Sequence, residues 1–182
     1  MKKMQKNEGF TLIELLIVVA IIGIIAAIAV PGLLRARMSG NEASAIGTMR
    51  AINSSQVTYA ASCGGGGYAI TLATLATPPT AGGDAFISPD LNVNGVTKSG
   101  YIVNLGDGVS AAGQASIDVL VAASTCNAAA TSKSSYFAEA HPGTTGQTGT
   151  RAFGTNNSGT IYQNFTGTAM TAATVWTSQI LQ

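Results

Sequence analysis

Charge is scarce in this chain of 182 residues. Asp, Glu, Lys and Arg together make up 9% of the sequence, aromatic residues make up 6%, and the formal net charge is +1 at pH 7. From Arg35 onward, six basic residues balance six acidic ones. We therefore expect no basic patch of the kind that binds nucleic acid. A surface with so few charges favours association between copies of the chain.

Residues that carry chemistry are also few. His141 is the single histidine, and it stands beside Pro142 in a stretch that predicts a turn. No Ser/His/Asp set, pair of carboxylates or cluster of metal ligands can be found in the sequence. The glycines at 64–67 lack the Lys and Ser/Thr of a phosphate-binding loop. We therefore predict that the protein is not an enzyme and needs no cofactor and no metal.

Long apolar runs, in contrast, are present. No charged residue occurs between Leu15 and Leu34. As a helix, the 25 residues from Phe10 to Leu34 would be about 37 Å long, enough to cross a hydrocarbon core of about 30 Å. A plain signal anchor would not explain Glu14 in the apolar segment, where a carboxylate is costly and normally has a partner. A cleaved secretory signal fits poorly, because its apolar core is shorter and its small residues follow it.

The segment around Glu14 has a specific pattern. Gly9 precedes Phe10, Glu14 follows five residues after the glycine, and Gly23 and Pro31 interrupt the aliphatic run. This pattern, over roughly residues 1–35, resembles the type IV prepilin and pseudopilin family.

The resemblance implies a role for each of these residues. A prepilin peptidase would cleave after Gly9 and methylate the new amino terminus at Phe10. Glu14 would pair with the Phe10 amine of a neighbouring subunit during assembly. Gly23 and Pro31 are either ordinary membrane-helix residues or the ends of a segment that can stretch in a fibre.

The resemblance also implies a location and partners. The chain would reside in the inner membrane, surrounded by lipid, with its amino terminus in the cytoplasm, and then polymerise into an extracellular type IV pilus for adhesion, twitching motility or DNA uptake. Its partners would be copies of itself, the peptidase, the inner-membrane assembly platform with its ATPase, and the outer-membrane secretin. The alternatives are a minor pilin or type II secretion pseudopilin, and a membrane-anchored binding domain that does not polymerise.

The two cysteines lie outside the apolar segment. In an extracytoplasmic domain, an isolated pair such as Cys63 and Cys126 favours a disulfide. Two free thiols or a redox pair are the alternatives, although the spacing is unlike CxxC. A bridge would tie the end of the long helix to the sheet.

The expected domains are a leader (1–9), an apolar helix (10–34) and a head (35–182). The head would contain a helix (35–62), a loop (63–98) with one short helical turn near Leu72–Ala76, a sheet (99–165) and a tail (166–182). An apolar stripe along the helix predicts the face that packs on the sheet. Its residues are Met38, Ala45, Met49, Ile52 and Tyr59, interrupted by Glu42 and Gln56.

The pattern after residue 99 is typical of strands, because apolar residues alternate between turn residues. We predict the α+β class, with the long helix on a four-stranded antiparallel sheet. The helix would cover one face of the sheet and the other would be wet, while the tail would add a last strand or close over the sheet. The runs with this alternation are Gly100–Leu105, Ala115–Ala122, Ser134–Ala140, Arg151–Gly154 and Thr160–Gln163.

Overall fold

The structure is a computed structural model, and it describes residues 10–181. Its longest element is helix α1, Leu12–Ser62, which continues through Pro31. The chain divides into two compact units between Arg37 and Met38. Every side chain from 10 to 37 is exposed, whereas the hydrophobic core lies in the second unit. The long helix predicted from the sequence is confirmed.

The second part of α1 buries one face. Its apolar buried residues lie three, four or seven positions apart, which is the spacing of one side of a helix. Met38 is only half-buried, so the buried face begins one turn later than the stripe predicted. The buried residues of α1 are Glu42, Ala45, Thr48, Met49, Ile52, Ser55, Gln56 and Tyr59.

The head contains the antiparallel sheet. Among residues 10–181 this sheet has six strands in the order β1-β2-β5-β6-β7-β8, with antiparallel neighbours throughout. The α+β class is confirmed, and the sheet has six strands instead of four because short strands extend both edges. These strands are β1 (Val96–Lys98), β2 (Tyr101–Asp107), β5 (Tyr136–Pro142), β6 (Ala152–Asn156), β7 (Ile161–Asn164) and β8 (Gln179–Ile180).

The predicted strand at 115–122 does not join this sheet. Only β3 (Asp118–Leu120) forms there, and it pairs with β4 (Ser132–Lys133) in a separate small sheet. In the main sheet, β2 pairs with β5 on one side and with β1 on the other, so β3 has no place beside it. Alternation of apolar residues in the sequence indicates a strand, but it does not identify the neighbour. Between α1 and β1, helix α2 forms at Leu72–Ala76, where the sequence predicts a helical turn.

The second face of the sheet is not wet as predicted. Phe137, Tyr162, Met170 and Val175 form a buried cluster on that face. The tail can approach closely because Gly154 has no side chain, and a Cβ there would lie 3.1 Å from the sulfur of Met170. The tail thus closes over the sheet and also adds β8, which explains why β6 is buried along its whole length.

Cys63 and Cys126 form a disulfide, with their Cα atoms 4.7 Å apart. Cys63 follows the last residue of α1, whereas Cys126 lies in the connection between β3 and β4. The bridge therefore ties the end of the helix to this connection and not directly to the main sheet. It is reinforced by a hydrogen bond of 2.8 Å from the Ser132 hydroxyl to the Gly64 carbonyl oxygen.

Glu42 joins the other end of the buried helix face to the sheet. One of its carboxylate oxygens accepts hydrogen bonds from the Thr150 amide and hydroxyl, at 2.9 and 2.8 Å, and the other accepts from Arg151 Nε and Nη2, at 2.9 and 2.7 Å. Partial burial works to raise the pKa of Glu42, but these hydrogen bonds outweigh it and place the pKa below the ordinary 4.5. The carboxylate therefore remains charged in the fold at neutral pH.

Two amide side chains complete the attachment of α1. Gln56 pairs with the backbone of Ala69, donating to its carbonyl oxygen at 2.7 Å and accepting from its amide at 3.0 Å. Asn53 accepts from the hydroxyls of Tyr136 and Thr155, at 2.8 and 2.9 Å. The side-chain amides of Gln56 and Asn53 are thus satisfied by specific partners, as burial of polar groups requires, whereas the buried hydroxyl of Tyr59 has no hydrogen-bond partner among residues 10–181.

We predict that replacing both cysteines by serine lowers the free energy of unfolding of the full chain in detergent by about 4 kcal/mol, because the bridge closes a loop of 63 positions. Urea denaturation measures the loss. Without reductant, the wild-type chain should resist alkylation, and reduction should raise its intact mass by two hydrogens. Alkylation of the unreduced, folded protein would contradict the bond.

We also predict that Glu42→Gln lowers the free energy of unfolding by about 2 to 3 kcal/mol at pH 7, since it removes the charge that Arg151 and Thr150 bind. Because the pKa of Glu42 is lowered in the fold, its contribution is complete above pH 4.5 and is lost as the pH falls through the lowered value. Below pH 4.5, the free energy of unfolding of Glu42→Gln should therefore depend less on pH than that of the wild-type chain.

Asp90→Asn is the matched control for Glu42→Gln. The partly exposed carboxylate of Asp90 lies 2.6 Å from Lys98 Nζ, and an exposed ion pair contributes less than about 1 kcal/mol. An equal loss of stability in the two variants would show that the burial of Glu42 has no special importance.

Candidate functional site

The amino end of α1 is closed by a reciprocal pair of side chains. The Glu14 carboxylate accepts hydrogen bonds from the Thr11 amide, at 3.0 Å, and from the Thr11 hydroxyl. The Glu14 amide in turn donates to the Thr11 hydroxyl oxygen at 3.3 Å. This is a capping box, in which each side chain satisfies a backbone amide that the helix leaves free.

The capping box gives Glu14 a local partner that the sequence analysis did not consider. The signal was present, because Thr followed three residues later by Glu before an apolar run is typical of a helix start. A carboxylate in the first turn also interacts favourably with the helix dipole. Phe10, the residue before Thr11, is 90% exposed. Gly9, the predicted cleavage residue, lies outside the described residues.

The residues after Glu14 form an apolar helix surface that nothing in the described chain covers. By length and composition α1 is the one helix among residues 10–181 that could cross a membrane, and none of the residues in its apolar window is buried. Leu15, Ile24 and Ile28 are 63, 64 and 77% exposed. Such a surface needs lipid or other protein around it.

Gly23 and Pro31 lie within this apolar stretch of α1. The position of Gly23 is open, because no atom apart from the neighbouring backbone of α1 lies within 4 Å of where its Cβ would be. Pro31 lies inside the helix without ending it. The structure therefore gives neither residue a packing role, and their effect on the helix is a matter of backbone energetics alone.

His141 is part of β5 and not of the predicted turn. Its Nδ1 atom lies 2.9 Å from a carboxylate oxygen of Glu139, and Asn104 donates to the same carboxylate. Glu139 is buried, so these contacts satisfy its oxygens. Within residues 10–181, no group of three or more His, Cys, Asp or Glu side chains is arranged to hold a metal ion.

The glycines at 64–67 end α1 and pack against the small sheet. The Gly64 amide donates to the Tyr59 carbonyl oxygen at 2.8 Å, and Gly65 has a positive φ of 61°. A Cβ on Gly67 would lie 2.6 Å from the Ser132 hydroxyl oxygen. Glycine is required here for a helix end and a close approach, so the segment is structural.

The start of the chain matches the model of the prokaryotic N-terminal methylation motif over residues 4–30. The chain is 44% identical to the type IV major pilin protein PilA of Myxococcus xanthus over 54 residues, which are 30% of this chain and 24% of that protein. It is 59% identical to the type IV wide pilus major component PilA4 of Thermus thermophilus over 39 residues, 21% of this chain and 30% of that protein.

A third relative is the type II secretion system core protein G of Vibrio cholerae, 46% identical over 46 residues, 25% of this chain and 32% of that protein. The chain thus spans between 24 and 32% of the length of these relatives. No solved structure matches the chain. The amino-terminal part of the chain is thus similar to that of type IV pilins and of a type II secretion core protein, and it continues into a head of one helix on an antiparallel sheet.

Proposed function

We propose that this protein is a structural subunit of a type IV pilus. The observation that supports the proposal most is an uncovered apolar helix that begins with the methylation motif and continues into a folded head. Two of the relatives are named as major pilus components. A helix of this kind is held by lipid before assembly and by the helices of other subunits afterwards.

In this proposal, the subunit is first inserted in the inner membrane, with residues 1–9 in the cytoplasm. Lys2, Lys3 and Lys6 favour this orientation, because basic residues stay on the cytoplasmic side. Prepilin peptidase cleaves after Gly9 and methylates Phe10. The assembly platform and its ATPase then move the subunit into a fibre that crosses the outer membrane through the secretin.

In this proposal, Glu14 changes partners during assembly. Before assembly Thr11 donates hydrogen bonds to the carboxylate, which lowers the cost of placing it in an apolar segment. Cleavage creates a cationic amine on Phe10. The amine of an incoming subunit can then bind the Glu14 of its neighbour, and its positive charge adds an attraction to the carboxylate that a neutral hydroxyl lacks. The pair would set the position of one helix against the next.

The energetics explain why assembly needs an ATPase. The apolar side chains are already shielded by lipid, so transfer into a fibre core brings little hydrophobic gain. Once the fibre is in water, however, releasing a subunit would expose aliphatic side chains that contribute about 1.5 to 3 kcal/mol each when buried. Gly23 and Pro31 would allow the segment between them to stretch during this transfer.

A second candidate function is that of a type II secretion pseudopilin, which the match to core protein G favours. Major pseudopilins of that system often carry an acidic calcium loop near the carboxyl end. This sequence has no acidic residue after Glu139. We therefore prefer the pilus subunit.

Mass spectrometry of fibres sheared from the cell surface tests the proposal. We expect this chain to be the abundant component, with Phe10 as its methylated first residue. Fibres that lack the chain, or that contain it with residues 1–9 attached, would refute the proposal. A chain that is cleaved in the membrane but absent from surface fibres would favour the pseudopilin.

The role of Glu14 can be separated from helix capping with two variants. Glu14→Ala removes the charge and the carboxylate half of the capping box, whereas Thr11→Val removes the hydroxyl half and keeps the charge. We expect normal cleavage in both, measured by intact mass, and a loss of sheared fibres only in Glu14→Ala. Removal of a cap costs about 1 kcal/mol, so an equal loss in both variants would mean that capping, and not pairing, is what matters.

A further inference from the structure

The head has an exposed apolar surface along β3. Ile117, Val119 and Val121 occupy alternate positions and are 69, 39 and 61% exposed. They follow one another in a head that otherwise buries most of its aliphatic residues in two clusters, one on each face of the main sheet. Asp118 alternates with the apolar residues along the strand, so both sets are accessible together only from the edge of β3 that pairs with no other strand in the described part of the chain. We call this edge, with Ile117, Val119, Val121, Asp118 and the neighbouring Asp107, the β3 surface.

The β3 surface is held firmly in place. The Ile117 amide donates to the Ser134 hydroxyl oxygen at 3.0 Å, and the Ser134 amide donates back to the Ile117 carbonyl oxygen at 2.9 Å. The Leu120 amide donates to the Ser132 hydroxyl oxygen at 3.1 Å, and Ser132 is bonded to Gly64 at the end of α1. An apolar surface on an ordered backbone binds a partner with little loss of conformational entropy.

The β3 surface carries a net negative charge. Lys133 Nζ lies 2.7 Å from Asp118 and 4.0 Å from Asp107, so one ammonium faces two carboxylates. Both aspartates are more than half exposed. A recess of about 230 Å³ borders Ile117 and is lined by hydroxyl and amide groups, among them Ser110, Gln114, Ser134 and Asn157. Carboxylates, hydroxyls and amide oxygens are acceptors that suit a guanidinium.

The exposed side of the second part of α1 carries a positive charge and an apolar residue, which complement the negative charge and the apolar residues of the β3 surface. Ala43, Gly47, Arg50, Ser54 and Val57 follow each other at spacings of four and three residues, which places them on one helix face. All five are exposed, and Val57 is 66% exposed. Arg50 takes part in none of the salt bridges found among residues 10–181. We call this set the outer face of α1.

We propose, on the basis of the pilus function above, that the β3 surface of one subunit docks on the outer face of α1 of the next. Arg50 would face Asp107 and Asp118, and Val57 would pack against the exposed aliphatic residues. The small side chains at 43, 47 and 54 let another surface approach the helix closely. The two surfaces differ, so the contact is heterologous and continues from copy to copy, as a filament requires.

Charge reversal tests the contact in cells that assemble the full chain. We expect Arg50→Glu and Asp118→Lys each to lower the yield of sheared fibres by about tenfold or more, because like charges placed opposite each other disfavour binding. The double variant should recover most of the yield. Asp84→Lys, which reverses an exposed charge elsewhere on the head, is the matched control and should assemble normally.

A second pair of variants tests the apolar part. Val57→Asp and Val121→Asp should lower the fibre yield, whereas Val93→Asp, at a position that is 53% exposed but outside both surfaces, should not. In every variant the amount of cleaved subunit in the membrane is measured, so that loss of the protein is not mistaken for loss of assembly.

Cross-linking gives a readout that does not depend on yield. With Ser54→Cys and Ile117→Cys in the same chain, oxidised fibres should give a ladder of multimers that reductant removes. Normal yields from the single charge variants, failure of the double variant to recover, or fibres without the ladder would each overturn the contact. The proposed function fails separately, if the wild-type chain is absent from the fibres.

Discussion

The fold depends on one helix whose two parts suit different environments: an apolar environment for the first part and the packed head for the second. From Leu15 to Leu34 its side chains are apolar on all sides, which suits lipid or other helices and no aqueous setting. From Glu42 onward it has one buried face, and that face includes polar groups with fixed partners in the head. The change from a uniform to a one-sided pattern takes place along a single element, so it needs no linker between the anchor and the head.

The buried polar groups of α1 determine where the head is attached. Glu42 reaches Thr150 and Arg151, more than a hundred positions later in the chain, and Asn53 reaches Tyr136 and Thr155. Removing one partner of such a buried contact costs more than the contact contributes, since the other partner is left unsatisfied. These contacts therefore favour one arrangement of helix and sheet over others in which apolar packing alone would be similar.

Sequence patterns predicted the parts of this structure that depend on local periodicity. The long helix, the short helix α2 and the strands around Tyr101, Tyr136 and Phe153 follow from spacing and turn residues. The cysteine bridge follows from an isolated pair of cysteines in a head that is expected to lie outside the cytoplasm. Periodicity could not reveal which strand lies beside which, so the apolar alternation around Val119 was assigned to the wrong sheet. Nor could it show that the Thr-rich tail covers a face of the sheet. That contact is possible because residue 154 is a glycine, which leaves room for Met170 and Val175. The capping box of Thr11 and Glu14, in contrast, was readable and was overlooked.

The edges of the main sheet have a consequence for heads that would lie side by side in the proposed fibre. The outermost strands, β1 and β8, are three and two residues long. Such short margins expose few free backbone groups to a neighbouring molecule, and natural proteins use this device against edge-to-edge aggregation. In the proposed fibre, neighbouring heads would thereby be protected from pairing edge to edge into an amyloid-like ladder, and side chains would govern how they meet.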